Sequence, residues 1–258
     1  MTGDVWAAGD AYEAYVGRWS RRVATIFVDW LGVPSGRRWL DVGCGTGALT
    51  AAIMASGPAD VVGVDPSRGF LRSVLDATRV AGDAAALPLR DRAFDAVVSG
   101  LALNFVPDPA RAVAEFVRVA APGAVVAAYV WDYAEGMQMM RHFWDAAAEA
   151  DPAAGGRDEG PRFPICHEPA LRAAWSAAGL TNVATRAIEI PTVFANFADY
   201  WTPFLGGTGP APAYLSALDS ESQRRIRDDL RRRLPFTASG EIPLTASAWA
   251  VRGHKTPG

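Results

Sequence analysis

The sequence predicts an α/β fold in which a parallel sheet is covered by helices on both faces. Two observations carry that expectation. Between Trp39 and Met54 a short apolar run, three alternating glycines and a helix-forming run follow one another, the order of a nucleotide-binding crossover. Beyond it, as far as Trp131, short apolar runs alternate with helical segments, and that rhythm builds a parallel sheet. With 258 residues, of which 50% are apolar and 10% aromatic, the chain can bury a substantial core as one large domain or a domain with a cap.

The bulk properties narrow the class. A formal charge of −3 argues against a nucleic-acid partner, which calls for a basic face. Cys44 and Cys166 have no metal-ligand spacing and make no disulfide framework. Reduced thiols and a cytoplasmic location are therefore expected. Asp4, Asp10 and Glu13 interrupt the start of the chain, so no signal peptide is expected. No window reaches the length and apolarity of a membrane span, and no repeat of fixed period appears.

Residues 10–31 read as helical. Ala11, Ala14, Tyr15, Arg18 and Trp19 fall three and four apart, and Ile26, Phe27, Trp30 and Leu31 extend an apolar stripe. Asp10 is a candidate cap for a first helix and Ser20 for a second. The cluster Tyr15 to Ser20 between them fits two uses: a packing helix, or an arginine that grips a carboxylate and stacks on rings.

Pro34, Ser35 and Gly36 mark a turn before the first strand, Trp39 to Val42. Asp60 to Asp65 is a second short strand ending in an acid. Pro66 and Ser67 break it and begin a helix through Phe70, Leu71, Val74 and Leu75. A third strand starts at Val80, a fourth covers Ala93 to Ser99, and Pro109 to Val119 is a helix with Ala112, Val113, Phe116 and Val117 on one side. Pro122 and Gly123 turn the chain into a fifth strand, Ala124 to Trp131. Further on, 134–150 reads as a helix, 151–164 as a mobile glycine- and proline-rich loop, and Glu168 to Gly179 as a helix. Asn182 to Pro191 reads as a sixth strand, 194–205 as an aromatic helical region and 206–210 as a linker. The run 221–234 is a charged helix with Ile226, Leu230 and Leu234 as its apolar stripe, and Ile242 to Val251 is a seventh strand.

The glycine motif by itself admits more than one ligand. Gly43-x-Gly45-x-x-Ala48 with Asp65 further on satisfies a dinucleotide pattern, whereas the absence of a Gly-Lys-Ser/Thr ending argues against a P-loop. Asp65 is placed either to accept hydrogen bonds from a ribose diol or to cap the next helix. Asp83 is placed either to meet an adenine amino group or to form a turn.

Taken together, Leu40-Asp41-Val42-Gly43-Cys44-Gly45-Thr46-Gly47, Val62-Gly63-Val64-Asp65-Pro66-Ser67, Gly82-Asp83-Ala84-x-x-Leu87-Pro88, Phe94-Asp95-Ala96-Val97-Val98-Ser99 and Arg118-Val119-x-x-Pro122-Gly123 resemble the class I S-adenosylmethionine-dependent methyltransferases, in the small-molecule branch called type 11. The segment Tyr15-x-Gly17-Arg18-Trp19-Ser20 is similar to an N-terminal segment of that branch. Ala124 departs from a common glycine, and Asn104 stands where a histidine is common after the fourth strand.

The resemblance implies a doubly wound, mostly parallel seven-stranded sheet, Rossmann-like with its last strand antiparallel, and a helical cap. It implies an N-terminal helical segment at 1–35 closing over the cofactor and a cofactor-binding core at 36–133. Cap insertions fall at 134–165 and 194–235, with the rest of the core at 166–193 and 236–258. The implied cofactor is S-adenosylmethionine, leaving as S-adenosylhomocysteine. Its implied binding residues are Tyr15, Arg18, Asp41, Gly43, Cys44, Gly45, Gly47, Asp65, Pro66, Ser67, Asp83, Ala84 and Leu101. Gly43, Gly45 and Gly47 let backbone approach the methionine and ribose. Asp65 holds the ribose, Asp83 and Ala84 meet the adenine, Leu101 lines the site beneath the sulfonium, and Tyr15 and Arg18 close over the methionine end.

The expected activity is methyl transfer to a small-molecule acceptor by in-line displacement, with no metal and no catalytic base assigned among His142, His167, Tyr12 and Tyr15. Among Trp131, Phe143, Trp144, Phe194, Phe197, Tyr200, Trp201 and Phe204, those outside the core would suit a flat or apolar acceptor. A nicotinamide-dependent oxidoreductase and a non-catalytic cofactor-binding protein are the rival expectations.

Overall fold

The computed structural model describes residues 17–74, 77–206 and 209–257. Strands β1 (Arg38–Val42), β2 (Asp60–Asp65), β3 (Thr78–Ala81), β4 (Phe94–Gly100), β5 (Ala120–Trp131), β6 (Thr181–Phe194) and β7 (Ile242–His254) form one seven-stranded sheet in the order β3-β2-β1-β4-β5-β7-β6. Pairs β1–β2, β2–β3, β1–β4 and β4–β5 are parallel, and the last strand is antiparallel. The order reverses between β1 and β4, and the crevice outside the carboxyl ends of such strands is where open α/β sheets bind ligands. Val61, Val62, Val64, Val97 and Val98 are all buried, as befits parallel strands covered on both faces.

The helices follow from ordinary local signals. In α1 (Arg18–Leu31) the face Val23, Ala24, Phe27, Val28 and Leu31 is buried. The described part of 10–31 is one helix, not two: Ser20 lies buried inside it instead of capping a second, because a continuous apolar stripe outweighs a single cap. Asp10 and everything before Gly17 lie outside the described residues. After α2 (Ala48–Ala55) and the short α3 (Arg68–Leu71), helix α4 (Pro109–Val119) has Asp108 accepting from the Arg111 N–H at 3.0 Å and Pro109 in its first turn. Its buried side is Ala112, Val113, Phe116 and Val119, with Val117 only half-buried.

The turn expected at Pro122–Gly123 is a bulge within β5: Ala120 pairs with Phe94 and Val125 with Ala96, and Gly123 takes φ 77. β6 runs longer than expected, with Ile188, Ile190, Thr192 and Phe194 inward. Pro191 is tolerated there because β6 is an edge strand.

The chain divides into two compact units. One holds 20–130, 165–188 and 248–257 and carries most of the sheet. Within it α7 (Glu168–Ala177) packs through Trp175, whose Nε1 donates to the Val126 carbonyl at 2.8 Å. Arg252 donates to the carbonyls of Trp30 and Leu31 at the end of α1, and the Lys255 ammonium to those of Val117 and Ala120 at the end of α4. Cations there satisfy carbonyls that a helix leaves unpaired and complement its dipole.

The second unit includes 17–19, 131–164 and 189–247, with α5 (Gln138–Ala150), α6 (Glu159–Arg162), α8 (Phe197–Trp201), α9 (Pro210–Ser216) and α10 (Ser220–Arg233). Pro210 opens α9 where a linker was expected, a first-turn position that suits proline. The aromatics singled out above are mostly core: Phe143 stacks on Phe204 at 4.6 Å, Phe194 meets Tyr200 edge-on at 5.3 Å, and only Phe197 is half-buried, under the Arg231 guanidinium at 4.6 Å.

The segment 151–164, expected as a mobile loop, forms short helical turns. A buried acid anchors it. Glu159 is 1% exposed, and Trp144 Nε1 donates to its Oε2 at 2.6 Å. Beside it Arg141 pairs with both carboxylate oxygens of Asp158. Burial pushes the Glu159 carboxyl up to about 7.

Trp144→Phe leaves Glu159 without that donor, and urea unfolding should report a loss of about 1–3 kcal/mol. Because the folded chain holds the Glu159 proton more tightly than the unfolded chain, the stability it supplies is present at acid pH and is lost as pH rises through about 7. Glu159→Gln should remove part of that decline in urea midpoints followed from acid to neutral pH.

Candidate functional site

The glycine loop begins where β1 ends. Gly43 and Cys44 both donate to the Val64 carbonyl, at 2.7 and 3.1 Å, which fastens the loop to β2. Gly43 takes φ 74, and a Cβ there would stand 2.4 Å from the Ala102 Cβ. Only glycine lets the loop after β1 press against the loop after β4. Gly45 and Gly47 also lie at positive φ, 52 and 92, and Gly47 leads into α2.

Beneath the loop lies Asp41, fully buried. Thr50 donates its hydroxyl to Asp41 Oδ2 at 2.7 Å, while Oδ1 is buried without a hydrogen-bond partner. Burial, and to a smaller extent the charge of Asp65, pushes its carboxyl up to about 7, against the Thr50 hydrogen bond. Cys44 is buried too, and burial followed by the charges of Asp41 and Asp65 raises its thiol well above the ordinary range. It is a packed thiol and no nucleophile.

Asp65 ends β2 with both oxygens turned to backbone. Oδ2 accepts from the Gly45 N–H at 2.9 Å and Oδ1 from the Ser67 N–H at 2.8 Å. Pro66 is exposed, and the Ser67 hydroxyl accepts from the Phe70 N–H at 3.4 Å, opening α3. On the far side of β2, the Gly82 N–H donates to the Asp65 carbonyl at 3.3 Å. Asp83 is exposed and accepts from the Ala85 N–H at 2.8 Å, so its carboxylate forms the turn that holds Ala84.

After β4 the chain turns sharply at Leu101, whose φ of 57 is unusual for a branched side chain and whose N–H donates to the Tyr129 carbonyl at 2.8 Å. At the preceding Gly100 a Cβ would stand 2.7 Å from the Tyr129 hydroxyl. Asp41, Gly43, Cys44, Gly45, Gly47, Asp65, Pro66, Ser67, Asp83, Ala84 and Leu101 thus lie at or just beyond the carboxyl ends of four adjacent strands, β3, β2, β1 and β4.

Tyr15 lies outside the described residues, as does Tyr12. Arg18 belongs to the other unit. Its NH1 donates to Asp199 at 2.8 Å, and the guanidinium lies 4.5 Å from the Trp19 ring centroid and 4.7 Å from that of Phe194. The carboxylate and rings it grips in this structure therefore come from the protein, while Nε and NH2 are buried without hydrogen-bond partners.

Sequence reasoning missed the face of α4 that holds the loop after β3. Arg118 donates to the carbonyls of Leu87 and Leu89, both at 2.9 Å, and pairs with Glu115 and Asp91. Glu115 accepts from the Leu87 N–H at 2.7 Å, and Arg111 donates to the Ala85 carbonyl at 2.9 Å. The Arg118 hydrogen bond holds the Glu115 carboxyl below its usual value. Arg118 stood within a quoted motif, but nothing in its spacing told which loop it would reach.

Residues 40–128 match the family model described as a methyltransferase domain. The demethylmenaquinone methyltransferase of Renibacterium salmoninarum is 40% identical over 127 residues, a match that takes in 48% of this chain and 49% of that protein. The chain thus spans about half the length of the curated relatives it matches. A phosphoethanolamine N-methyltransferase of Haemonchus contortus, solved with phosphomonomethylethanolamine and S-adenosylhomocysteine, superposes with a TM-score of 0.59 at 15% identity, over 96% of this chain and 56% of that one. The [4+2]-cyclase SpnF superposes with a TM-score of 0.55 at 18% identity, over 92% and 82% of the two chains. At these identities the solved structures share the fold.

Asp65→Asn replaces one acceptor oxygen with an N–H₂ group that must face an N–H of Gly45 or Ser67. Urea unfolding should report a loss of about 1–3 kcal/mol.

Proposed function

We propose that this chain, whose residues 40–128 match a methyltransferase domain, moves a methyl group from S-adenosylmethionine to a small-molecule acceptor by in-line displacement. The observation that carries this reading is the buried, unpartnered Oδ1 of Asp41 beside a loop of left-handed glycines and the two-handed Asp65. An unpaired oxygen in a buried carboxyl is costly to the protein alone, and a cationic ammonium would relieve it. The donor set fits S-adenosylmethionine. Asp41 would hold the amino end, Gly43, Gly45 and Gly47 would admit the methionine and ribose against backbone, Asp65 with Pro66 and Ser67 would meet the ribose, and Asp83 and Ala84 the adenine. Leu101 would line the site beneath the sulfonium, and Tyr15 and Arg18 are proposed for the methionine end.

Bound there, the cofactor supplies a methyl carbon already activated by a positive sulfur. The chain's own work is alignment and exclusion of water, and positioning of this kind contributes about 7–11 kcal/mol in favourable cases. The turn at Leu101 and the contact of Ala102 with Gly43 set how closely the loops after β4 and β1 approach. No catalytic base is assigned: His167 is exposed just before α7, and His142 is half-buried on α5 with its pKa lowered by burial.

The acceptor is proposed to be a flat or apolar small molecule, supported by a relative whose name specifies demethylmenaquinone. Nucleic acid and membrane are not proposed as partners. Among the described residues no helix is long and apolar enough to cross a bilayer, and a cytoplasmic location is proposed on the buried Cys44, whose thiol forms no disulfide.

Thermal-shift assays should show stabilisation by S-adenosylmethionine and S-adenosylhomocysteine but not by NAD or NADP; the reverse pattern would replace this reading with the oxidoreductase. Because the protonated Asp41 cannot pair with an ammonium, cofactor affinity should weaken as pH falls below about 7. Asp41→Asn should weaken binding about tenfold and flatten that pH dependence in calorimetric titrations.

A further inference from the structure

Asn104 lies in the single turn Leu103–Phe105 that follows β4, three residues beyond the left-handed Leu101. It is 7% exposed, and both its Oδ1 and its Nδ2 are buried without any hydrogen-bond partner. Buried amides are almost always satisfied, and leaving both ends of one unpaired is a considerable cost to the free protein. The same stretch of chain touches the glycine loop, since Ala102 occupies the space a Gly43 side chain would need. Asp41 Oδ1, at the end of the neighbouring strand β1, is the other orphaned oxygen of this region. The next residue along the chain, Phe105, is 42% exposed.

A carboxamide offers an acceptor and a donor side by side and stays neutral at every working pH. It pairs best with a flat group carrying the complementary donor and acceptor on one edge, as asparagine does with the edge of adenine. We propose that Asn104 selects the methyl acceptor, and that the acceptor is a neutral flat molecule with an adjacent hydrogen-bond donor and acceptor on one edge, of the lactam type. This rests on the methyltransferase reading above and names the substrate class of that site. The residue acts by binding, through an amide that takes up no proton.

The test uses the full chain and two measurements. In the first, the melting temperature of ligand-free Asn104→Leu is compared with that of the parent. Removing an unsatisfied amide for a side chain of similar size should raise it by about 2–6 °C, whereas a fall, shared by Asn104→Ala and Asn104→Ser, would show that the fold satisfies the amide and would overturn the proposal. In the second, the complex with S-adenosylhomocysteine is titrated with 2-quinolone and with 1-methyl-2-quinolone, which lacks the donor. The parent should prefer 2-quinolone about tenfold or more, and Asn104→Leu should lose that preference with its S-adenosylhomocysteine affinity unchanged. Equal binding of the two probes by the parent, binding of neither, or a preference that survives in Asn104→Leu would overturn it. Failure of S-adenosylhomocysteine itself to bind would instead count against the methyltransferase reading, and the melting comparison would still decide the state of Asn104.

Discussion

A single carboxylate joins the two loops on which the candidate site depends. Asp65 receives the Gly45 N–H on one oxygen and the Ser67 N–H on the other, and it is 6% exposed. Hydrogen bonds to an ionised group out of reach of bulk water are strong, so the loop after β1 and the loop after β2 are held in a fixed relation. Its charge also bears on what lies beneath, adding to the burial that raises the Asp41 carboxyl and the Cys44 thiol.

The second constraint is steric. The sheet reverses its winding between β1 and β4, and there the loops beyond the two strands must touch. Gly43 permits it by lacking a side chain, Ala102 fills the space, and Leu101 accepts a left-handed backbone one residue earlier. Strain of this sort persists where the surroundings over-determine it. Here they do, through the Leu101 N–H bonded to Tyr129 and the Tyr129 ring packed 4.7 Å from Phe27.

The polar groups that hold the loop after β3 are satisfied, whereas two side chains beside the glycine loop keep unpaired atoms. Helix α4 holds the loop after β3 with Arg111, Glu115 and Arg118, all engaged. Asp41 Oδ1 and both ends of Asn104 are not. A protein that shapes its interior for a ligand carries this cost in the free state and recovers it on binding.

The strand–glycine–helix unit, the acids ending β1 and β2, and the order of alternating strands were legible in the sequence because each is written in a few neighbouring residues: glycine where φ is positive, apolar runs where both faces are covered, proline and aspartate where a helix begins. Local signals also misled. Ser20 suggested a cap but lies inside α1, and the glycines and prolines of 151–164 suggested mobility where Glu159, bonded to Trp144, anchors ordered turns. Only the tertiary structure decided that Arg118 reaches the carbonyls of Leu87 and Leu89, that Arg252 closes the end of α1, that Arg18 turns to Asp199, and that Asn104 is buried without a partner. These depend on residues brought together from distant parts of the chain, and periodicity carries no information about which long side chain will find which carbonyl until the sheet has set the distances.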